Sequence, residues 1–266
     1  LYKQSLKILD KAKGLAIKNQ EKNIAYEIVE LEKIIESQYI TRSLNNRADE
    51  LTIQAKELSH QNVIASKLSN LSLQLYGLFL KTGYVKNDKE FQKVKDYFNK
   101  RLPVFKIETL GFREKLWLYK SYLWYSFLIQ DFKSCYKYAR KWVDLFYDNE
   151  SMIPLNPVFF LKGYQYLLET LFYTKHHTKF KTCLIDFEDI TQKSWFPNDD
   201  NINGLVFLYL YSNKINLKFM QGTFKEGIPL IDEVLVGLNK YNNQIDEHHV
   251  MAVSYTHLRA HETRRY

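Results

Sequence analysis

An all-α fold, organised as a right-handed superhelix (α-solenoid) of stacked antiparallel helix hairpins, is predicted by three observations. Apolar residues recur three and four positions apart along nearly the whole chain, the spacing that lines one face of a helix. Nine Gly and five Pro in 266 residues are too few for the many tight turns an all-β domain needs. Segments that open helices repeat one another at intervals of 41 to 48 residues. The composition, 45% apolar and 26% charged, suits a large globular domain or a repeat array and excludes disorder.

The first helix is expected over residues 3–18, where Leu6, Leu9, Ala12, Leu15 and Ala16 form an amphipathic stripe. The second is expected over 21–40, through Ile24, Ile28, Leu31, Ile34 and Ile35. Further helices are expected at about 45–59, 62–82, 88–101, 110–129, 132–148, 156–174, 177–193, 202–221 and 224–241. Breaks fall where turn chemistry is concentrated: Gly83 with Asn87-Asp88, Pro103, Gln130-Asp131, Asn149 to Pro157, the Phe196-Pro197 to Asp200 run, and Gln221-Gly222-Thr223. Asp199-Asp200 reads as a helix N-cap and Glu188-Asp189 as surface. The longest apolar runs, Tyr122 to Ile129 and Leu205 to Tyr211, fall far short of the about eighteen residues a membrane helix needs, so no membrane partner is expected.

The second helices of the pairs carry a common pattern. Phe132, Cys135, Ala139 and Trp142 align with Phe180, Cys183, Phe187 and Ile190, and with Phe224, Gly227, Ile231 and Val234. In each, an aromatic is followed by a small residue three later and by apolar residues four and three further on. The aromatic is expected to plug the crevice of a hairpin, and the small residue to let two backbones approach where they cross. Cys135 and Cys183 should therefore occupy equivalent, buried positions. A weaker copy begins at Phe91, with Val94 and Phe98, and the helix from about 45 starts another. With a turn, then an aromatic, then a small residue, the chain resembles the tetratricopeptide repeat family over most of residues 20–241. Its copies are longer than the about 34 residues of the standard repeat.

The resemblance implies a groove lined by the first helix of each pair, and a non-enzymatic scaffold that binds a protein or peptide there. Carried over in register, Trp117, Lys120 and Trp124 would face the groove from one pair, Gln165, Phe172 and Lys175 from the next, and Tyr209, Ser212 and Asn216 from the third. Tyr and Trp suit such a surface, since a rigid apolar body with a polar tip gives contact area at low entropic cost. With this many aromatics, most must pack in hairpin cores. The alternative function is the sensory or regulatory region of a longer transcription or signalling protein whose effector module lies outside this chain.

Charge and chemistry narrow the partners. The formal charge is +8, and residues 81–120 hold eleven Lys or Arg against Asp88, Glu90, Asp96, Glu108 and Glu114. That basic segment could meet an acidic partner. Nucleic acid is disfavoured, because base and bidentate phosphate contacts favour Arg and the segment offers only Arg101 and Arg113. No cofactor, metal or enzymatic activity is expected. Gly222 and Gly227 have phosphate-loop spacing but are followed by Ile228 and Pro229 where a Lys and a hydroxyl are needed. His176-His177 point about 100° apart on a helix and are assigned to the turn before Phe180. His248-His249, after Asp246-Glu247, read as exposed helix. The two cysteines match no metal or redox spacing, which fits reduced thiols in the cytoplasm.

The C-terminal stretch differs from the rest. Val253-Ser-Tyr-Thr-His-Leu-Arg-Ala-His-Glu-Thr263 resembles the translation of a transposase-type sequencing adapter over eleven consecutive residues. Residues 252–266 are accordingly expected to be adapter read-through, and His257 and His261, four apart, to bind no metal. Residues 1–251 are expected to be one helical repeat domain, a fragment cut at its C-terminus. It opens on Leu1 rather than Met, which leaves its N-terminus and any signal peptide open.

Overall fold

The computed structural model describes residues 2–39 and 46–241, and all regular structure among them is helical. Eleven α-helices occur among the described residues: α1 (Tyr2–Lys18), α2 (Lys22–Tyr39), α3 (Arg47–Thr82), α4 (Asp88–Arg101), α5 (Phe112–Leu128), α6 (Phe132–Tyr147), the single turn α7 (Met152–Leu155), α8 (Pro157–Tyr173), α9 (His177–Thr191), α10 (Asp200–Gln221) and α11 (Phe224–Lys240). None is long and apolar enough to cross a membrane.

Local chemistry sets the ends. Asn87 accepts from the Glu90 amide at 3.0 Å while the Glu90 carboxylate accepts from the Lys86 amide at 2.9 Å, a reciprocal cap that starts α4. Asp131 caps α6 by accepting from the Ser134 amide at 3.0 Å. Asp199 caps α10 by accepting from the amides of Asn201 and Ile202, as its place before Asp200 predicts. Pro157 opens α8 at a position whose amide needs no helical partner.

Four connections pass through a left-handed residue. Gln20, Gln130, Lys175 and Gly222 all adopt the left-handed conformation, with φ of 60°, 59°, 56° and 70°. At three of them the same two hydrogen bonds close the preceding helix. The amides of Gln20, Lys175 and Gly222 donate to the carbonyls of Ile17, Phe172 and Phe219, and those of Glu21, His176 and Thr223 donate to Ala16, Leu171 and Lys218, all within 2.8–3.2 Å. The next residue begins the following helix, so α1/α2, α8/α9 and α10/α11 fold back as antiparallel hairpins.

Packing divides the chain into two compact units, one ending at Gln130 and the other beginning at Asp131. In the first, α2 lies between α1 and the N-terminal half of α3, around Ala25, Val29, Leu51 and Ala55. The C-terminal half of α3 packs on α5 through Ile64, Leu68 and Leu118, and the Ser121 hydroxyl sits 3.1 Å from the Leu68 carbonyl. In the second, α6 packs on α8, α8 on α9 and α10, and α10 on α9 and α11. Trp142, Phe146, Phe160, Phe180 and Phe187 are fully buried there.

The structure corrects several expectations. The helices expected at 45–59 and 62–82 are one helix of 36 residues, because residues 59–62 carry no Gly or Pro and both halves find apolar partners. The weak copy at Phe91 is not preceded by the shared turn; Gly83, with φ 67°, opens a longer connection to α4. Phe180 is fully buried, as a plug should be, yet Phe132 is only half-buried and Phe224 is 59% exposed, packing its ring on Phe219 at 5.4 Å. Residues 242–266, with His248-His249 and the adapter-like tail, lie outside the described residues.

Candidate functional site

The groove candidates separate into core, turn and surface. Trp124 is 5% exposed, wedged against Tyr76 (4.7 Å between ring centroids), Phe79 (5.4 Å) and Phe127 (5.7 Å). It is core, not groove. Trp117 is half-buried on α5, and the Lys120 ammonium lies 4.9 Å from its ring centroid, a cation–π pair one turn apart. Lys175 is the left-handed residue of the α8/α9 turn, exposed and off the helix face where the register placed it. Helix α8 ends at Tyr173, so Lys175 lies beyond its last turn. Phe172 is half-buried beside Tyr173, 6.1 Å between ring centroids.

The remaining four come together in the second unit, on the seam between α8 and α10. Tyr209, Ser212 and Asn216 lie three to seven apart on α10 and so share one face. Tyr209 is 6% exposed, whereas Ser212 and Asn216 are half-buried and reachable. Between them stands Asn213, which the sequence reading passed over. It is fully buried, and its Nδ2 donates at 2.7 Å both to Gln165 Oε1 on α8 and to the Tyr209 carbonyl. The Asn213 Oδ1 is buried with no hydrogen-bond partner among the described residues. Its face-sharing spacing with Tyr209 and Asn216 was the available signal. Beside this seam, Lys214 of α10 reaches Glu188 of α9 at 2.7 Å, so the acidic pair at 188–189 partly serves as a helix-to-helix tie.

Several titratable groups are buried and tied to their neighbours. Burial holds the Cys135 thiol well above its usual range, reinforced by the carboxylates of Asp131 and Glu169, and pushes Cys183 up to about 12. Both are free, buried and protonated near neutrality, the opposite of an activated nucleophile. Tyr164, raised by burial, shares a short hydrogen bond with Tyr147. In the first unit Glu32, fully buried, binds Lys13 at 2.6 Å and Arg47 at 3.3 Å. Burial raises Glu32, while Asp10 ends lowered, its partial burial outweighed by hydrogen bonds from Lys13 and Arg47. That network neutralises itself and pins α1 and α2 to the start of α3. No group of three or more His, Cys, Asp or Glu able to hold a metal occurs among the described residues. Comparison with protein-family models, with curated proteins and with solved structures finds no match.

Proposed function

We propose that the chain is a non-enzymatic scaffold of tetratricopeptide-like kind, its hairpins stacked as a right-handed superhelix, that binds a protein or peptide along the seam of first helices. The observation that carries this reading is the shared turn at Gln20, Lys175 and Gly222, a unit of construction reused three times. In the second unit α8 touches α10 as well as α9, the neighbour relation expected when first helices stand side by side. Gln165, Phe172, Ser212 and Asn216 then offer amide, hydroxyl and aromatic contacts at partly open positions, a surface that suits an extended peptide backbone. The exposed lysines of α4, Lys89, Lys93 and Lys100, with Arg101 stacked 3.8 Å over the Tyr97 ring, favour acidic residues in the partner. Two buried free thiols favour a reducing compartment such as the cytoplasm.

The test is selection of a random-peptide display library against the full chain, followed by calorimetric titration of enriched peptides. Phe172→Ala and Asn216→Ala should each weaken binding by about tenfold, a hot-spot loss, without changing the helical circular dichroism. Failure to enrich any peptide, or peptides indifferent to both substitutions, would overturn the reading.

A further inference from the structure

The outward face of the first hairpin is apolar where a solvated helix pair should be polar. Ile8 and Leu15 on α1, and Ile24, Leu31 and Ile34 on α2, are 44–66% exposed, while Ala16, Ala25 and Ile28 on the opposite faces pack inward. The two rows meet in a shallow cleft lined by Ser5, Ile8, Leu9, Leu31, Ile34 and Ile35. Helical spacing makes the stripe continuous. On α1, Ile8 and Leu15 alternate with the small Ser5 and Ala12; on α2, Ile24 and Leu31 are seven apart, with Ile34 one turn on. Contiguous exposed apolar surface of this length marks a contact site.

The rims of the stripe say what covers it. Along the edge of α1 away from α2 run Lys7, Lys11 and Lys18, all exposed. On α2, Glu27, exposed, stands in line with Ile34 seven residues on, and Glu30, on the edge beyond, pairs with Lys33 at 2.7 Å. Lys7, Lys11 and Glu27 make no ion pair among the described residues. The α1 edge is basic, and the outward surface of α2 is net negative through Glu27, Glu30 and Lys33, so the two halves of the face are complementary in charge. A two-fold axis running along the hairpin sets α1 of one copy against α2 of the other at the same height, with Ile8 facing Leu31 and Ile34. Lys7 and Lys11 then lie opposite Glu27 and Glu30 of the second copy.

The geometry points to a homodimer in which two α1/α2 hairpins pack face to face as a four-helix bundle. Size agrees: 17 helical residues give a strip about 26 Å long and two helices wide, so that the two copies together bury about 1,000 Å², the lower bound for a specific interface. The hairpin brings its own rigidity. The buried Lys13–Glu32–Arg47 network locks α1, α2 and α3 together on the inward side, so little ordering is required on association.

Sedimentation equilibrium on the full chain tests this. A reversible monomer–dimer equilibrium is expected, lost on Ile8→Asp with Leu31→Asp, and kept on Leu235→Asp, an exposed leucine of α11. Lys7→Glu with Lys11→Glu, and separately Glu27→Lys with Glu30→Lys, should each weaken self-association by about tenfold or more, and an equimolar mixture of the two should restore it as a heterodimer. These positions are at the surface, and unchanged circular dichroism confirms that each variant is folded. A wild-type chain that stays monomeric at the highest attainable concentration would overturn the dimer. So would a dimer that survives Ile8→Asp with Leu31→Asp, or charge-reversed variants that fail to pair on mixing. Peptide binding at Phe172 and Asn216 is read separately, so either proposal can fail alone.

Discussion

Gly163 of α8 lies directly against the Trp142 indole of α6. A Cβ there would meet Trp142 Cδ1 at 2.9 Å and Nε1 at 3.0 Å, and Trp142 is fully buried, so the indole has nowhere to go. Alanine favours a helix over glycine by about 1 kcal/mol, yet overpacking a core costs about 1–3 kcal/mol; the clash should win. Gly163→Ala is expected to destabilise the chain by about 1–2 kcal/mol in urea unfolding, and a stabilised variant would refute the close approach. Glu169, half-buried on α8, is pushed up to about 7 by burial, with the Tyr173 hydroxyl at 3.2 Å opposing. An acid whose folded value lies above its unfolded 4.5 binds its proton more tightly when folded, so its favourable effect is complete below about 4.5 and is lost as pH rises through about 7. Glu169→Gln should flatten that part of the stability–pH curve, by less than about 1 kcal/mol given partial solvent access. Such features were only partly legible. The three-residue step from aromatic to small residue correctly marked Cys135 and Cys183 as buried. Trp124 was misplaced because α5 is apolar almost all round, and a helix without a polar face gives periodicity no way to tell core from groove.

α3 is the element that sequence spacing handled least well, and the reason is physical. Its apolar residues follow one helical rhythm near Leu51, Ala55 and Leu58 and another near Ile64, Leu68, Leu71 and Leu75, since the two halves meet different neighbours, α2 and then α5. A shift of apolar face looks like a break. Nothing at residues 59–62 breaks a helix, however, and local propensity carries the backbone straight through. Elsewhere the elements were legible because their ends are written in side chains: Asn87, Asp131 and Asp199 cap helices and Pro157 opens one, each at a break the sequence marks. The left-handed Gln20 and Lys175 were not, since a non-glycine at such a turn leaves no compositional mark. His60 sits in the middle of α3, exposed. His60→Pro removes an intrahelical amide and drives the ring against the preceding turn, so it should cost about 3 kcal/mol or more. A turn between two separate helices would absorb the same proline for less than about 1 kcal/mol. Chemical unfolding of the variant distinguishes the two arrangements.

The division of the chain at Gln130/Asp131 carries a claim about what suffices to fold. The second unit has its own apolar interior, in which Trp142, Phe146, Phe160, Leu168, Phe180 and Phe187 are each 0% exposed, contributed by α6, α8 and α9 and flanked by α10. Each such side chain contributes about 1.5–3 kcal/mol of transfer free energy, and the short hairpin turns keep the closing loops small, so the entropy of bringing the helices together is low. Residues 131–241 alone should therefore fold to a helical state with a cooperative urea transition and a near-ultraviolet signal from Trp142. A molten state, with helix but no fixed aromatic signal, would show that this interior needs the first unit for its packing. Comparing residues 131–251 with 131–266 tests the adapter resemblance by the same measurement. Residues never selected to pack should shift the unfolding free energy by less than about 0.5 kcal/mol, the range of ordinary surface changes. A gain of several kcal/mol would mean that Leu258 and its neighbours close the open side of α11, and that the tail is native protein.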